Sequence, residues 1–285
     1  MNIRQIVFPV DFSERSIAVC PYVAAITRCF NAKLTLLHVV ETGGSHNSDV
    51  TEGAGTSAEV ETAARSLKAL TEQYVPNASA DTIVLAGDPA EAIVAFAGSS
   101  EGRIIVMPTR GYGAFRRMLL GSVTAKVLHD AMCPVWTGPH LENAIVPTEQ
   151  FELKRILCAV SLDWETDEVL KRSGELATCL GAELTALHVV APMDEGLLPL
   201  LTPDEAPLST TATEKAINEA LTRTGTAGRV SVAIGDPSRQ VARAAGTQKS
   251  DLVIIGRGGK PEMRGRLGSH AYGIIRRSPC PVLCV

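Results

Sequence analysis

The segment Asn31–Val40, NAKLTLLHVV, returns as Gly181–Val190, GAELTALHVV. A fold that suits one copy must suit the other, and this limits the chain more than any other feature of it. Further repeats keep the same order. Gly87-Asp88-Pro89 recurs as Gly235-Asp236-Pro237, Gly121-Ser122 as Gly268-Ser269, and Cys133-Pro134-Val135 as Cys280-Pro281-Val282. The period is about 150 residues, far longer than the roughly 20–50 of a solenoid repeat. With 285 residues there is room for two domains of ordinary size. The reading is a tandem duplication, domain one over residues 1–140 and domain two over 153–285, with the boundary inside Gly138–Glu152.

Each half alternates strand and helix patterns. In the first, Ile6–Val10 reads as a strand, and Ser13 caps a helix that runs to about Phe30. Lys33–Val40 is the second strand. Thr42–Ser57, rich in Gly, Ser and Thr, is a loop. A helix over about Ala58–Tyr74 and a strand over Asp81–Leu85 follow. Asp88 then caps a helix with Pro89 at its first position and Glu91 at its third, a capping box. Ile104–Met107 is the fourth strand, and Cys133–Trp136 the last. Such alternation predicts an α/β fold, a parallel sheet with helices on both faces.

Composition narrows the function. The net charge of -4 and the 4% aromatic content do not suit a nucleic-acid surface. No apolar run approaches the ~20 residues of a membrane span. The chain enters its first strand directly, so the expectation is no signal peptide and a cytoplasmic protein. Seven cysteines, an odd number without a CxxC, read as reduced, buried thiols. Cys280 and Cys284 are the one close pair. His38 and His188 read as core or strand-end residues rather than metal ligands, and no metal cluster is expected.

The stretch Arg103–Met132 carries the chemistry. A buried strand feeds the glycine-rich turn Pro108-Thr109-Arg110-Gly111-Tyr112-Gly113, and a helix begins near Gly121-Ser122. Val123, Val127 and Ala131 fall four apart and predict one helix face. Ser122 is a good N-cap residue, and Arg110, Arg116 and Arg117 add positive charge. Free amides and a helix N-terminus aimed at one spot make a phosphate cradle. The same residues also suit an ordinary turn, since this is neither a Walker A loop nor a GxGxxG. Ligands of doubly wound sheets bind at the carboxyl ends of the strands, where the order reverses. Asp11-Phe12 and Pro108–Gly113 would then share a crevice that suits a nucleotide.

With these residues in view, the chain resembles the universal stress protein family, twice over nearly its whole length. In the family's ATP-binding members the loop after strand four reads Gly, two residues, Gly, nine residues, Gly, then Ser or Thr. Gly111, Gly121 and Ser122 match, whereas Pro108 stands in place of the first Gly. The resemblance implies a five-stranded sheet of order 3-2-1-4-5 in each domain. It also implies ATP, with magnesium, in domain one. Asp11 follows strand one, and Val39 follows the strand-two His. Met107, Thr109, Arg110 and Gly111 form the end of strand four and its loop. Gly121, Ser122, Val123 and Thr124 begin the helix. A second candidate set is Val189, Gly256, Gly258, Gly259, Gly268 and Ser269. There the spacing is one residue short, Ser161 stands for Asp11 and Ala271 for Thr124.

The implied function is an ATP-binding regulatory protein of the stress response, working as a homodimer, with no dedicated enzymatic activity and at most slow ATP hydrolysis. The alternative is a nucleotide-free dimerisation module of the same fold, pairing through its short last strands, Pro134–Thr137 and Pro281–Val285.

Overall fold

A computed structural model describes residues 1–41, 57–75, 80–98, 102–108, 120–138, 152–190, 192, 209–258 and 267–285. The expected loop Thr42–Ser57 lies, up to residue 56, outside these, as do Arg116, Arg117 and most of the linker. The chain divides into two compact units, Ile3–Phe151 and Glu152–Val285, the latter taking in Met1–Asn2.

The first unit runs β1 (Gln5–Pro9), α1 (Glu14–Phe30), β2 (Lys33–Val40), α2 (Ser57–Tyr74), β3 (Ala80–Ala86), α3 (Pro89–Ala97), β4 (Arg103–Met107), α4 (Ser122–Asp130) and β5 (Val135–Thr137). All pairings are parallel, β2 with β3, β1 with β2 and β4, and β4 with β5. The order is 3-2-1-4-5, as the family resemblance implies. α1 packs with α2 and α3 with α4. Right-handed crossovers place the two pairs on opposite faces of the sheet. β1 and β4 are covered on both sides, which is why Ile6, Val7, Ile104, Ile105 and Val106 form unbroken apolar runs at 0% exposure.

The second unit repeats the plan with β6 (Arg155–Ala159), α5 (Thr166–Leu180), β7 (Glu183–Val190), α6 (Thr210–Thr224), β8 (Arg229–Ile234), α7 (Pro237–Thr247), β9 (Leu252–Ile255), α8 (Ser269–Arg277) and β10 (Val282–Cys284). Its strands pair in parallel in the order β8-β7-β6-β9-β10.

The repeated motifs turn out to be the punctuation of these elements. Asn31 and Gly181 are left-handed C-caps of α1 and α5, with φ of 48° and 62°. Asn and Gly are the residues that adopt this conformation at least cost. Gly87 and Gly235 hold φ of 133° and 138°, and each donates its N–H to the end of the preceding neighbour strand, Val40 or Val190. Asp88 and Asp236 then cap α3 and α7 by accepting from Glu91 and Arg239 N–H, both at 2.9 Å. Of the capping box, this half is present; the Glu91 carboxylate meets Lys126 Nζ at 3.0 Å. Pro134 and Pro281 start the last strands, where their carbonyls accept from Ile105 and Val253.

The amino ends of the central strands are tied by a polar relay. Gln5 Nε2 donates to Thr35 Oγ1 at 3.1 Å, and Arg103 Nε to Gln5 Oε1 at 2.9 Å. Arg103 Nη1 also donates to the Phe96 and Ala97 carbonyls at the end of α3. One side chain thereby joins two strands to a helix terminus that needs donors. Arg103→Met keeps most of the volume and removes these bonds. We expect it to lower the unfolding free energy in urea by about 2 kcal/mol, with an unchanged m-value.

Candidate functional site

At the reversal of strand order, the chains leaving β1 and β4 part to opposite faces, and the carboxyl ends of these adjacent strands are left bare. A cleft of about 1220 Å3 opens there. It is lined by Asp11, Val39, Met107, Gly121, Ser122, Val123 and Thr124, all the described members of the first expected set, and by Pro108. Thr109, Arg110 and Gly111 lie outside the described residues, as does Gly259 of the second set.

The floor of the cleft is the turn after β1. Asp11 Oδ1 accepts from Ser13 N at 3.0 Å and Ser13 Oγ at 2.6 Å, while Ser13 Oγ accepts from Ser16 N at 3.1 Å and caps α1. The carboxylate is thus oriented by the helix start it sits beside. Between Asp11 and Ser13, Phe12 adopts φ of 57°. For an aromatic residue this left-handed conformation costs of order 1–3 kcal/mol. Leu162 adopts the same conformation, φ 59°, at the matching place in the second unit. The Phe12 ring lies against His38, centroids 4.6 Å apart. Neither Phe12 nor His38 stands in the expected set, and no residue-type signal marks a Phe for positive φ.

His38 is a strand-end residue. Its Nδ1 lies 2.7 Å from the Val10 carbonyl. Because a carbonyl only accepts, Nδ1 carries the proton, and Nε2 is the acceptor of the neutral ring. His188 repeats the contact with Val160 at 2.8 Å. These bonds hold the end of β2 just past the end of β1. Leu37 accepts from Val10 N–H, so it faces β1, and Val39, two residues on, points its N–H and C=O the same way. β1 pairs only as far as Pro9 opposite Leu37. Val39 therefore offers a backbone donor and acceptor into the cleft.

The opposite wall is the start of α4. Gly121, not Ser122, is the N-cap, at φ -69° and ψ 151°, and Ser122 is the first helical residue. Serine ranks above glycine as a cap, yet a glycine here supplies no side chain to the first helical amides. Those of Ser122, Val123 and Thr124 have no intrahelical partner by geometry. Of the expected face, Val127 and the C-cap residue Ala131 are buried, together with Thr124 and Leu128, whereas Val123 turns to the cleft. Thr124 Oγ1 donates to the Pro108 carbonyl at 3.1 Å, fastening α4 to the end of β4. Lys126 Nζ reaches Asp88 and Glu91 on α3, at 3.2 and 3.0 Å.

Among the described lining residues, the charges are the carboxylates of Asp11, Glu41 and Glu59 and the guanidinium of Arg15. Anion recognition on this wall falls to amides and to the positive end of the α4 dipole. No group of His, Cys, Asp or Glu among the described residues could hold a metal ion. No helix among them is long and apolar enough to cross a membrane.

A model of the universal stress protein family matches residues 2–137 and again residues 152–285. The chain belongs to the universal stress protein family. Relatives include universal stress protein MJ0531 of Methanocaldococcus jannaschii, 30% identical over 145 residues that make up 46% of this chain and 79% of that protein. Universal stress protein Rv2005c of Mycobacterium tuberculosis is 27% identical over 190 residues, 65% of this chain and 62% of that one. Among solved structures, a universal stress protein from Archaeoglobus fulgidus is 24% identical, with a TM-score of 0.70 over 98% of this chain and 95% of its own, and so shares the fold. The family is the one the glycine spacing and the duplicated strands point to.

The cysteines of this tandem universal stress protein carry no chemistry in the cleft. None of the seven is in a disulfide, but burial is not uniform. Cys29 and Cys179, at matching places near the ends of α1 and α5, are exposed, contrary to the expectation of buried thiols. Burial pushes the Cys20 and Cys158 thiols up to about 12 and those of Cys280 and Cys284 to about 11. A protonated thiol is a poor nucleophile. With DTNB, the native protein is expected to react quickly at the two exposed cysteines and at the remainder only after denaturation.

Proposed function

We propose that the first domain binds an adenosine nucleotide, ATP with magnesium, and that occupancy of this site is what the protein reports to its partners in the stress response. The observation that carries the reading is the convergence on one cleft of Asp11, the Val39 backbone and the glycine-capped start of α4. Each suits a different part of the ligand. Val39 offers the N–H and C=O that an adenine edge pairs with. The Asp11 carboxylate accepts from ribose hydroxyls. The amides of Ser122, Val123 and Thr124 take phosphate oxygens. The volume, about 1220 Å3, admits a nucleotide with water. Three carboxylates against one guanidinium among the described lining residues favour the magnesium complex over free ATP, since the cation offsets part of the phosphate charge. Slow turnover is compatible with this site. A homodimer in the cytoplasm remains part of the proposal.

One observation favours a second reading, the nucleotide-free dimerisation module. Pro108 stands at the place of the family's first loop glycine and has no N–H to give. Its carbonyl is engaged by Thr124 Oγ1, so its role in holding α4 survives without the donor.

The test begins with nucleotide released from denatured protein that was purified without added ligand, identified by mass spectrometry. ATP or ADP at about one per chain is the expected result. Asp11→Ala should weaken Mg-ATP binding by about tenfold, in line with loss of a charge-assisted hydrogen bond, and Gly121→Val should abolish it. Pro108→Gly should tighten binding, and chelation of magnesium should weaken it. An empty protein that shows no thermal shift with Mg-ATP while forming a firm dimer would leave the second reading in possession.

A further inference from the structure

The second domain carries the same corner, and there its loop amide is already taken. β1 begins at Gln5 and β6 at Arg155, and this shift of 150 carries Asp11 to Ser161, Phe12 to Leu162 and Arg15 to Glu165. Ile6 faces Ile104 in the first unit, and Ile156 faces Leu252 in the second, so Gly256 holds the place of Pro108. Gly121 and Gly268 are the glycine N-caps of α4 and α8.

At this second corner, Glu165 Oε2 accepts the N–H of Gly258 at 2.8 Å. Glu165 stands at the N-cap position of α5 in αR conformation and makes no side-chain cap bond to its own helix. Asp163 Oδ1 serves there instead, accepting from Glu165 N at 3.0 Å. The Glu165 carboxylate is thereby free to cross to the turn after β9. Gly256 makes room for it, since a Cβ at that position would fall 2.6 Å from Glu165 Oε2. The same turn abuts the start of α8. Gly268 N donates to the Arg257 carbonyl at 2.6 Å, and a Cβ on Gly268 would meet the Gly258 backbone at 3.4 Å. Gly258 N–H therefore lies where strand end and helix start meet, the place at which a phosphate would be held. Burial raises the Glu165 carboxyl above its usual range, as expected of a charge drawn in from water.

We propose that the Glu165 carboxylate is a built-in anion that fills the phosphate corner of the second domain and restricts the chain to one nucleotide. It acts in two ways. It occupies the donor, and its negative charge opposes a phosphate that approaches the same spot. Where the first domain presents a cation, Arg15, to its cleft, the second presents a carboxylate. The proposal shares with the preceding reading the premise that this corner of the fold takes phosphate, and it concerns the other domain.

Mg-ATP bound per full-length chain is measured by equilibrium dialysis for wild type, E165A and E165R. E165R restores the charge found at the matching position of the first domain and serves as the second variant should E165A not fold. Pyrophosphate is titrated in parallel while the Gly258 amide is followed by NMR. One ATP per wild-type chain and two per variant chain is the expected result, with the Gly258 amide shifting on pyrophosphate addition in the variants only. No ATP on wild type and one on the variants would uphold this proposal and remove the first-domain reading. Two on wild type, or variants that match wild type in stoichiometry and in the Gly258 response, would overturn it.

Discussion

The point on which the rest of the structure turns is the reversal of strand order between β1 and β4. Two parallel strands lie side by side, and their outgoing chains must leave toward opposite faces. Nothing regular can cover the carboxyl ends they leave behind. Backbone N–H and C=O groups of the next residues are stranded at this place, and polar groups out of water need partners. The first unit answers with an open cleft, in which the Val39 backbone and the start of α4 face the solvent that a ligand would displace. The second answers by turning a side chain of its own, Glu165, onto the Gly258 amide. These are two solutions to one topological demand.

The opposite end of the sheet shows why that corner holds its shape. The Thr35–Gln5–Arg103 relay ties β2, β1 and β4 together and fastens them to the carboxyl end of α3. A shift of the central strands in register would break these bonds. Against this fixed end, the turn after β1 tolerates a left-handed Phe12, and the matching turn of the second unit a left-handed Leu162. Strain of ~1–3 kcal/mol persists only where the surroundings impose it. Here the imposing contacts are the Asp11–Ser13–Ser16 relay on one side and the His38–Val10 bond on the other.

Much of this was legible in the residues, for a reason that the structure makes plain. The repeats Asn31/Gly181, Gly87/Gly235 and Asp88/Asp236 answer to backbone conformations and caps that few residue types satisfy. Conformational demands of this kind are written locally, so strands, helices and the duplication could be read directly. The co-location of Asp11 with the loop after β4 followed from topology once β1 and β4 were taken as neighbours, while Val39 and the order 3-2-1-4-5 came from the family resemblance. What escaped was the non-local and the overruled. Glu165 meets a residue 93 positions away, and no spacing rule links them. Ser122 has the better capping propensity, yet its backbone is already helical and the extended Gly121 is the cap. The stripe Val123–Val127–Ala131 departs only at Val123, which the switch point turns toward the cleft while Val127 and Ala131 are buried.

The two copies can be set against each other at four places. Asp11, Arg15, Pro108 and Thr124 of the first stand where the second has Ser161, Glu165, Gly256 and Ala271. The first carries a carboxylate and a guanidinium where the second has one carboxylate, and a hydroxyl that fastens α4 to the Pro108 carbonyl, but lacks one loop donor. The second carries the glycine that the family motif asks for, yet uses the space it leaves to admit a carboxylate. A glycine count would therefore rank the second loop as the better phosphate site, and the contacts rank it as the worse. Motif glycines provide room, and room serves whichever anion reaches it first. When the anion is covalently part of the chain, its effective concentration is fixed by the fold and no dissolved ligand is needed. In the proposed reading this is what separates the domains. Their backbones offer the same corner, and a single position at the start of the neighbouring helix, Arg15 or Glu165, decides whether it faces outward to a nucleotide or is satisfied from within.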